Sequence, residues 1–199
     1  LLDLIEPPGI GVFECRQALW RAAREQPPPG LSECVPGYTT LLFEFHPGQG
    51  NEHHLKNWFE RHWHSAAEVP CGVAGRQHAI PVRYHGPDLE QVADHAKLLV
   101  AEVIERHSAP EYRVDLIGFA PGFPYLSGLD PLLATPRLTQ PRLRVEAGSV
   151  AIGGPHTGIY SRPGPGGWNI VGHTDVTLFD PATARCLLAP GDRIRFLPK

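Results

Sequence analysis

From Tyr112 to the C-terminus the chain breaks into short runs rich in β-forming residues: YRVDLIGF, LRVEAGSVAI, HTGIYS, GWNIVGH, VTLFD and RIRFLP, set apart by glycine and proline. Glycine supplies turn conformations, and proline interrupts both helices and inner strands, so this half of the chain is confined to short strands joined by tight turns. A small β-barrel or sandwich is what such a pattern builds. Within it stands GFAPGFPYLSGLDP, Gly118 to Pro131, crowded with prolines, glycines and aromatic rings. Neither a regular helix nor an uninterrupted central strand is expected through it. The stretch reads as a rigid aromatic loop, whose Phe123 and Tyr125 are suited to a ligand wall, a seat for a partner, or plain core packing.

The first part of the chain has a different rhythm. CRQALWRAAREQ, Cys15 to Gln26, carries Leu19, Trp20 and Ala23 at helical spacing and is stopped by Pro27-Pro28-Pro29-Gly30. YTTLLFEF, Tyr38 to Phe45, predicts a strand, and Glu52 to Ala67 predicts a helix with Leu55, Trp58, Phe59 and His62 on one face. A short strand follows over Ile80 to Tyr84. Asp88 is placed to cap a helix, with Gln91 three residues on as in a capping box, and apolar residues continue in helical register to Ile104. The resulting fold class is α+β: a small N-terminal α/β domain over residues 1–78, then a β-barrel domain over 79–199 with an early helical segment at about 88–107.

Composition narrows the function. With 18 basic and 21 acidic side chains, the chain lacks the broad positive footprint that nucleic acid or an anionic membrane requires, so a small molecule or a protein is the expected partner. No apolar run approaches the roughly 18 residues of a membrane span, and no signal-peptide pattern is seen, so a cytoplasmic location is expected. Cys15, Cys34, Cys71 and Cys186 show no C-x-x-C spacing and read as thiols. His53, His54, His62 and His64 read as a solvated helix face, with no metal site expected.

The glycine loops are the candidate site. Gly153, Gly154 and Gly158 bracket His156 and Thr157, and the pattern repeats at Gly164-Pro165-Gly166-Gly167-Trp168 and at Gly172-His173-Thr174. Glycine lets a backbone approach a ligand closely, and main-chain amides in such loops can cradle an anion. Tight barrel turns would use the same residues. No phosphate loop, dinucleotide fingerprint or nucleophile elbow is present, so the chain carries no complete nucleotide motif.

The run IGFAPGFPYLSGLDPLLATPRLTQPRLRVEAGSVAIGGPHTGIYSRPGPGGWNIVGHTDVTLFDP, followed by LLAPGDRIRF, closely resembles the family of the 5-oxoprolinase B subunit, also described as KipI or allophanate hydrolase subunit 1. The likeness is strong from Pro81 to Pro198 and continues upstream through SECVPGYTTLLFEFHP. It implies a cyclophilin-like barrel behind a small α/β domain. It also implies a complex with a C-type second subunit and a LamB/YcsF-type third subunit, which opens 5-oxo-L-proline to L-glutamate at the expense of ATP. Two other roles occur on this scaffold: carboxyltransferase component of a biotin-dependent urea carboxylase, and non-catalytic inhibitor of a sensor histidine kinase.

On this resemblance His156, Thr157 and His173 are the expected catalytic residues. Phe123, Tyr125, Tyr160, Arg162, Gly166, Gly167 and Trp168 are the expected substrate-binding set, with Arg162 as a carboxylate clamp. Gly153, Gly154 and Gly158 are expected to bind ATP or an anionic intermediate through their amides. Two positions depart from the family: His156 stands where Gln is usual, and Gly172-His173-Thr174-Asp175 where Gly-Arg-Thr-Pro is common. The family's Gly-Leu-Ser helix break is here Lys97-Leu98-Leu99, which predicts a fused or less sharply bent pair of helices.

Overall fold

Helical spacing before Pro27 and strand-forming residues after it produce a small α/β unit, the first of two in a computed structural model that describes residues 2–3, 11–67 and 75–199. The compact units are Leu1–Val73 and Ala74–Lys199. In the first, α1 (Val12–Glu25) and α2 (Glu52–Ala67) accompany a three-stranded antiparallel sheet of β1 (Leu2–Asp3), β2 (Leu31–Pro36) and β3 (Thr40–Phe45), with β3 in the middle. Leu19, Leu41 and Trp58 are its most buried large apolar side chains. The Trp58 indole N–H donates to the Gln26 carbonyl at 2.6 Å, which ties the second helix to the end of the first. His62 stacks on Trp58 at 4.6 Å and places Nδ1 2.8 Å from the Trp58 carbonyl, so it serves its own helix rather than a solvated face. The sequence pattern pointed to β3 alone, because β2 ends on Pro36 and buries little of its length. Cys15, Cys34 and Cys186 are free thiols, and Cys71 lies outside the described residues.

The second unit runs β4 (Gln77–Val82), α3 (Leu89–Ala96), α4 (Val100–Ser108), β5 (Tyr112–Ile117), β6 (Pro124–Ser127), β7 (Arg142–Val145), β8 (Ser149–Gly153), β9 (His156–Ile159), β10 (Gly164–Gly166), β11 (Asn169–His173), β12 (Phe179–Asp180), β13 (Arg185–Cys186) and β14 (Arg193–Pro198). Seven strands form one sheet in the order β11-β8-β9-β6-β5-β14-β4, antiparallel except for the β14–β4 pair. The unit takes in residues before position 79 because Gln77–Val82 pairs in register with Arg193–Pro198 and the Asp192 carboxylate holds the Arg76 amide at 2.9 Å. The aromatic loop also behaves differently from expectation. Its Pro124–Ser127 portion is a central strand paired on both sides, tolerated because the proline stands at the strand's first residue.

The sheet closes on itself. Beyond β4, Arg83 exchanges both backbone hydrogen bonds with His173 of β11, each 2.9 Å, and the Gly86 and Asp88 amides continue the seam to Val171 and Ile170. A Cβ on Gly86 would fall 2.2 Å from the Ile170 oxygen, so only glycine allows this approach. Asp88 does not cap α3 with its side chain, as the sequence suggested. Its carboxylate instead crosses the seam, accepting the Ile170 amide at 2.7 Å on one oxygen and the Arg142 guanidinium at 2.6 Å on the other. Helices α3 and α4 are likewise separate rather than fused. Lys97 adopts a left-handed φ of 56°, and the Glu102 carboxylate takes the Leu99 amide at 2.7 Å to start α4. Two short helices can each turn an apolar face, Val92 on one and Val103 on the other, toward a curved wall that one straight helix would leave.

Inside the barrel, alternate strand residues such as Val114, Leu126, Val150, Ile152, Ile159 and Phe196 pack with these helices. One polar network sits among them. His107 is fully buried, with Nε2 2.9 Å from Thr157 Oγ1 and Nδ1 2.7 Å from the Tyr84 hydroxyl. Thr157 gives its single hydroxyl proton to the Ala151 carbonyl at 3.0 Å, so it must accept from His107 Nε2–H. Nδ1 is then the acceptor for the Tyr84 hydroxyl. This arrangement satisfies a neutral imidazole, and burial pushes the His107 pKa down to about 3.

Two outcomes follow from the seam and the network. Asp88→Ala leaves Arg142 and the Ile170 amide without their acceptor, and is expected to destabilise the barrel by about 2–4 kcal/mol, read from urea unfolding. His107 is protonated in the unfolded chain below about 6.5 but not in the native one, so stability falls as pH drops from about 6.5 toward 3. The slope of unfolding free energy against pH in that window should be shallower in His107→Asn; an unchanged slope would remove His107 as its source.

Candidate functional site

Side chains that alternate to the opposite face of the same wall form a second apolar cluster, composed of Phe123, Val145, Ala151, Tyr160, Trp168 and Ile170. The glycines make room for it. A Cβ on Gly153 would come within 2.4 Å of the Trp168 indole, and one on Gly158 within 3.0 Å of Phe123 and 3.1 Å of Trp168. On Gly166 it would lie 2.2 Å from the Tyr160 hydroxyl. Trp168 therefore lies against β8 and β9 where Gly153 and Gly158 leave no side chain in its way. Around it, Phe123 and Tyr125 meet the indole edge to face, with ring centres at 5.5 and 5.6 Å, and Phe123 meets Tyr160 at 5.3 Å. Contacts of this geometry are favourable beyond the area they bury.

These rings enclose a cavity of about 150 Å³. Of the expected substrate-binding residues, the structure brings six to its lining: Phe123, Tyr125, Tyr160, Gly166, Gly167 and Trp168. Phe119, Arg137, Leu138 and Pro141 complete it. Phe119 is 64% exposed and holds a left-handed φ of 66°, a conformation costly for an aromatic residue. The turn that carries it is fixed by the Gly118 amide on the Phe123 carbonyl at 3.1 Å and by the Ser161 hydroxyl on the Pro121 carbonyl at 2.6 Å.

Among the described residues, Arg137 is the one charged member of the lining. Its guanidinium stands 5.7 Å from the centre of the Trp168 ring. Burial raises the pKa of the Tyr125 and Tyr160 hydroxyls, and the Arg137 charge opposes that rise at both. In the sequence, Arg137 stands in the segment TPRLTQP, Thr135 to Pro141, within the family run. Its signal in the sequence is the pair of prolines, Pro136 and Pro141, which exclude a regular helix between them. The Leu138 amide bonds the Gly167 carbonyl at 2.7 Å and the Asn169 side chain bonds the Pro136 carbonyl at 2.9 Å, so the segment is laid along the glycine loop.

The remaining expectations are redistributed. Arg162 is exposed on the turn between β9 and β10 and does not line the cavity, so the clamp expected there is not at the rings. Thr157 is fully buried with its hydroxyl engaged on the barrel's interior, which gives it a structural place in the wall instead of the catalytic one expected. His156 opens β9 opposite Gly153 and is half-buried; burial lowers its pKa, with the Asp115 charge working against that. His173 pairs with Ser149 at the far end of β8, and its Nε2 lies 3.0 Å from the Ala147 carbonyl. Four residues of extended strand, roughly 13 Å, separate the partners of the two histidines, so they do not share one catalytic centre. Gly153 and Gly158 admit the protein's own rings, and the Gly154 amide is bonded to the Thr135 carbonyl at 2.8 Å. Of the three glycines expected to cradle an anion, Gly154 therefore has its amide engaged within the fold, and Gly153 and Gly158 serve ring packing. What the arrangement offers chemically is a set of fixed aromatic faces for a flat ring and one cation for an anionic group.

Comparison with known proteins sets this geometry in a family. The model of the carboxyltransferase domain, subdomain C and D, matches residues 12–189. The B subunit of 5-oxoprolinase from Escherichia coli O157:H7 is 42% identical over 204 residues, covering 98% of this chain and 90% of that protein. The crystal structure of TTHA0988 superposes with a TM-score of 0.81 at 40% identity, covering all of this chain, which spans 39% of that longer one. The Kluyveromyces lactis urea carboxylase shares the fold, with a TM-score of 0.79 at 20% identity over 94% of this chain and 20% of its own. The chain belongs to the carboxyltransferase-domain family of subdomains C and D and, within it, to the 5-oxoprolinase B-subunit proteins.

Proposed function

We propose that this chain is the B subunit of an ATP-dependent 5-oxoprolinase, which opens 5-oxo-L-proline to L-glutamate and completes its active site with a C-type second subunit and a LamB/YcsF-type third subunit. The observation that carries this reading is the 42% identity to a 5-oxoprolinase B subunit across 98% of the chain. The cavity supports it in size and character. A cavity of about 150 Å³ holds a ring of benzene's dimensions, and its walls are aromatic.

Opening a lactam is difficult because the amide is stable. ATP, bound at the level of the complex, would transfer its terminal phosphoryl group to the amide oxygen with release of ADP; water would then add to the activated carbon, and loss of phosphate with cleavage of the C–N bond would leave the carboxylate and amine of glutamate. The ten residues of the lining include no carboxylate, serine, cysteine or histidine, so the phosphoryl donor and the base come from outside it. In this division of labour the present chain holds and orients the ring, a contribution that lowers the entropic part of the barrier. His156, half-buried at the start of β9 with its pKa lowered by burial, does not line the cavity, and a proton-transfer role for it depends on what the partner subunits place beside it. The reading assigns the complex to the cytoplasm, where ATP is available; among the described residues no helix is long and apolar enough to cross a membrane.

A second reading, transfer of a carboxyl group to urea or a similar amide from a biotin carrier, draws on the family's description and its fold. One assay separates the two. The chain is co-expressed with its C-type and LamB/YcsF-type partners, and ADP release is followed with 5-oxoproline or urea, with and without avidin. Turnover of 5-oxoproline insensitive to avidin is expected; avidin-sensitive turnover of urea would replace the proposal. In the same assay Gly153→Ala, which pushes a methyl group into the indole, should lower 5-oxoproline turnover about 10- to 100-fold by displacing the ring surface. Undiminished turnover would show that the surface does not orient substrate.

A further inference from the structure

We infer that Arg137 and the face of Trp168 form a recognition site for a small flat ring bearing a carboxylate, with the ring in the aromatic cavity and the carboxylate on the guanidinium at its mouth. This deepens the proposed function and rests on it for the identity of the ring, 5-oxoproline.

Four observations converge. First, the cavity has walls of four rings, Phe123, Tyr125, Tyr160 and Trp168, which present apolar faces to a flat ligand, while its volume of about 150 Å³ leaves no room for a larger substituent beside a ring. Second, Arg137 is exposed at that cavity and makes a ring contact with Trp168 but, among the described residues, no hydrogen bond or ion pair with a carboxylate. Two nearby arginines are committed: Arg142 to Asp88 at 2.6 Å and Arg144 to Glu146 at 2.7 Å. Third, Arg137 is the one charged residue of the lining among the described residues, with its guanidinium 5.7 Å from the centre of the Trp168 ring, so an anionic group on a ligand in the cavity has a single cation within reach. Fourth, the backbone that carries it is held in place by the bonds of Leu138 to Gly167 and of Asn169 to Pro136, so the guanidinium is presented from a rigid segment. A planar guanidinium binds a carboxylate through two parallel N–H donors, and a lysine cannot reproduce that fork.

Arg137→Gln is the test, made in the assembled complex, and the exposure of Arg137 leaves folding undisturbed. Losing a charge-assisted carboxylate contact should raise KM for 5-oxoproline about 10- to 100-fold while KM for ATP stays within about twofold. Arg137→Lys, which keeps the charge and loses the fork, should fall between. Ligand-observed NMR of this chain supplies an arm independent of turnover. Saturation transfer to 5-oxoproline should be strong in the wild type and lost in Arg137→Gln, whereas transfer to 2-pyrrolidinone, the same ring without its carboxylate, should be equal in both. An active wild-type complex whose KM for 5-oxoproline is unmoved by Arg137→Gln overturns the inference. A wild-type complex inactive on 5-oxoproline overturns the proposed function instead, and the NMR arm then decides the inference: absence of transfer to the wild-type chain overturns it.

Discussion

Everything at the site depends on an indole lying against the barrel wall at two positions, Gly153 and Gly158, that carry no side chain. Trp168 occupies the space that a Cβ on Gly153 would need, and it shares the surface above Gly158 with Phe123. Once the indole is seated there, Tyr125 and Phe123 pack edge-on around it and Arg137 stands over its face. Glycine in the interior of a strand ordinarily weakens it, through lost entropy and a missing packing surface. Here the missing surface is replaced by aromatic rings from another part of the chain, which converts a weak strand position into a seat for rings that line the cavity.

The same wall works in two directions. Its interior side packs aliphatic residues around the His107–Thr157 pair, and its exterior side carries the ring cluster. Neighbouring residues divide the duties: Leu126 faces in and Tyr125 out, Ile152 in and Ala151 out. The Asp88 carboxylate joins barrel closure to the site, because Arg142 belongs to β7, the strand that pairs with β10, and Gly166 of β10 is part of the lining. Closing the barrel and positioning the cavity's rim are therefore one structural event.

The short β runs after Tyr112 were legible because glycine and proline punctuate them, and the α2 helix was legible to its ends because its apolar residues keep a 3.6-residue period. The aromatic members of the site were legible too, since Phe123, Tyr125, Tyr160 and Trp168 sit in loops whose composition has no other obvious use. Arg137 was not, because its partner surface is 31 positions away in sequence and proximity across a fold leaves no local trace. The separate placement of His156 and Thr157 is hidden in the sequence for a related reason. A strand places successive side chains on opposite faces, so His156 and Thr157, adjacent in sequence, belong to different sides of the wall. The carboxylate of Asp88 gave a familiar helix-start signal, yet a buried amide and a guanidinium across the seam compete for it and win.

If the ring cluster on the outside of the barrel holds the substrate, a structure of the assembled complex with 5-oxoproline bound will show ring density against Trp168, between Phe123 and Tyr160, with the carboxylate within hydrogen-bonding distance of Arg137. Substrate seated on the backbone of Gly153 to Gly158, or away from the rings altogether, would contradict it.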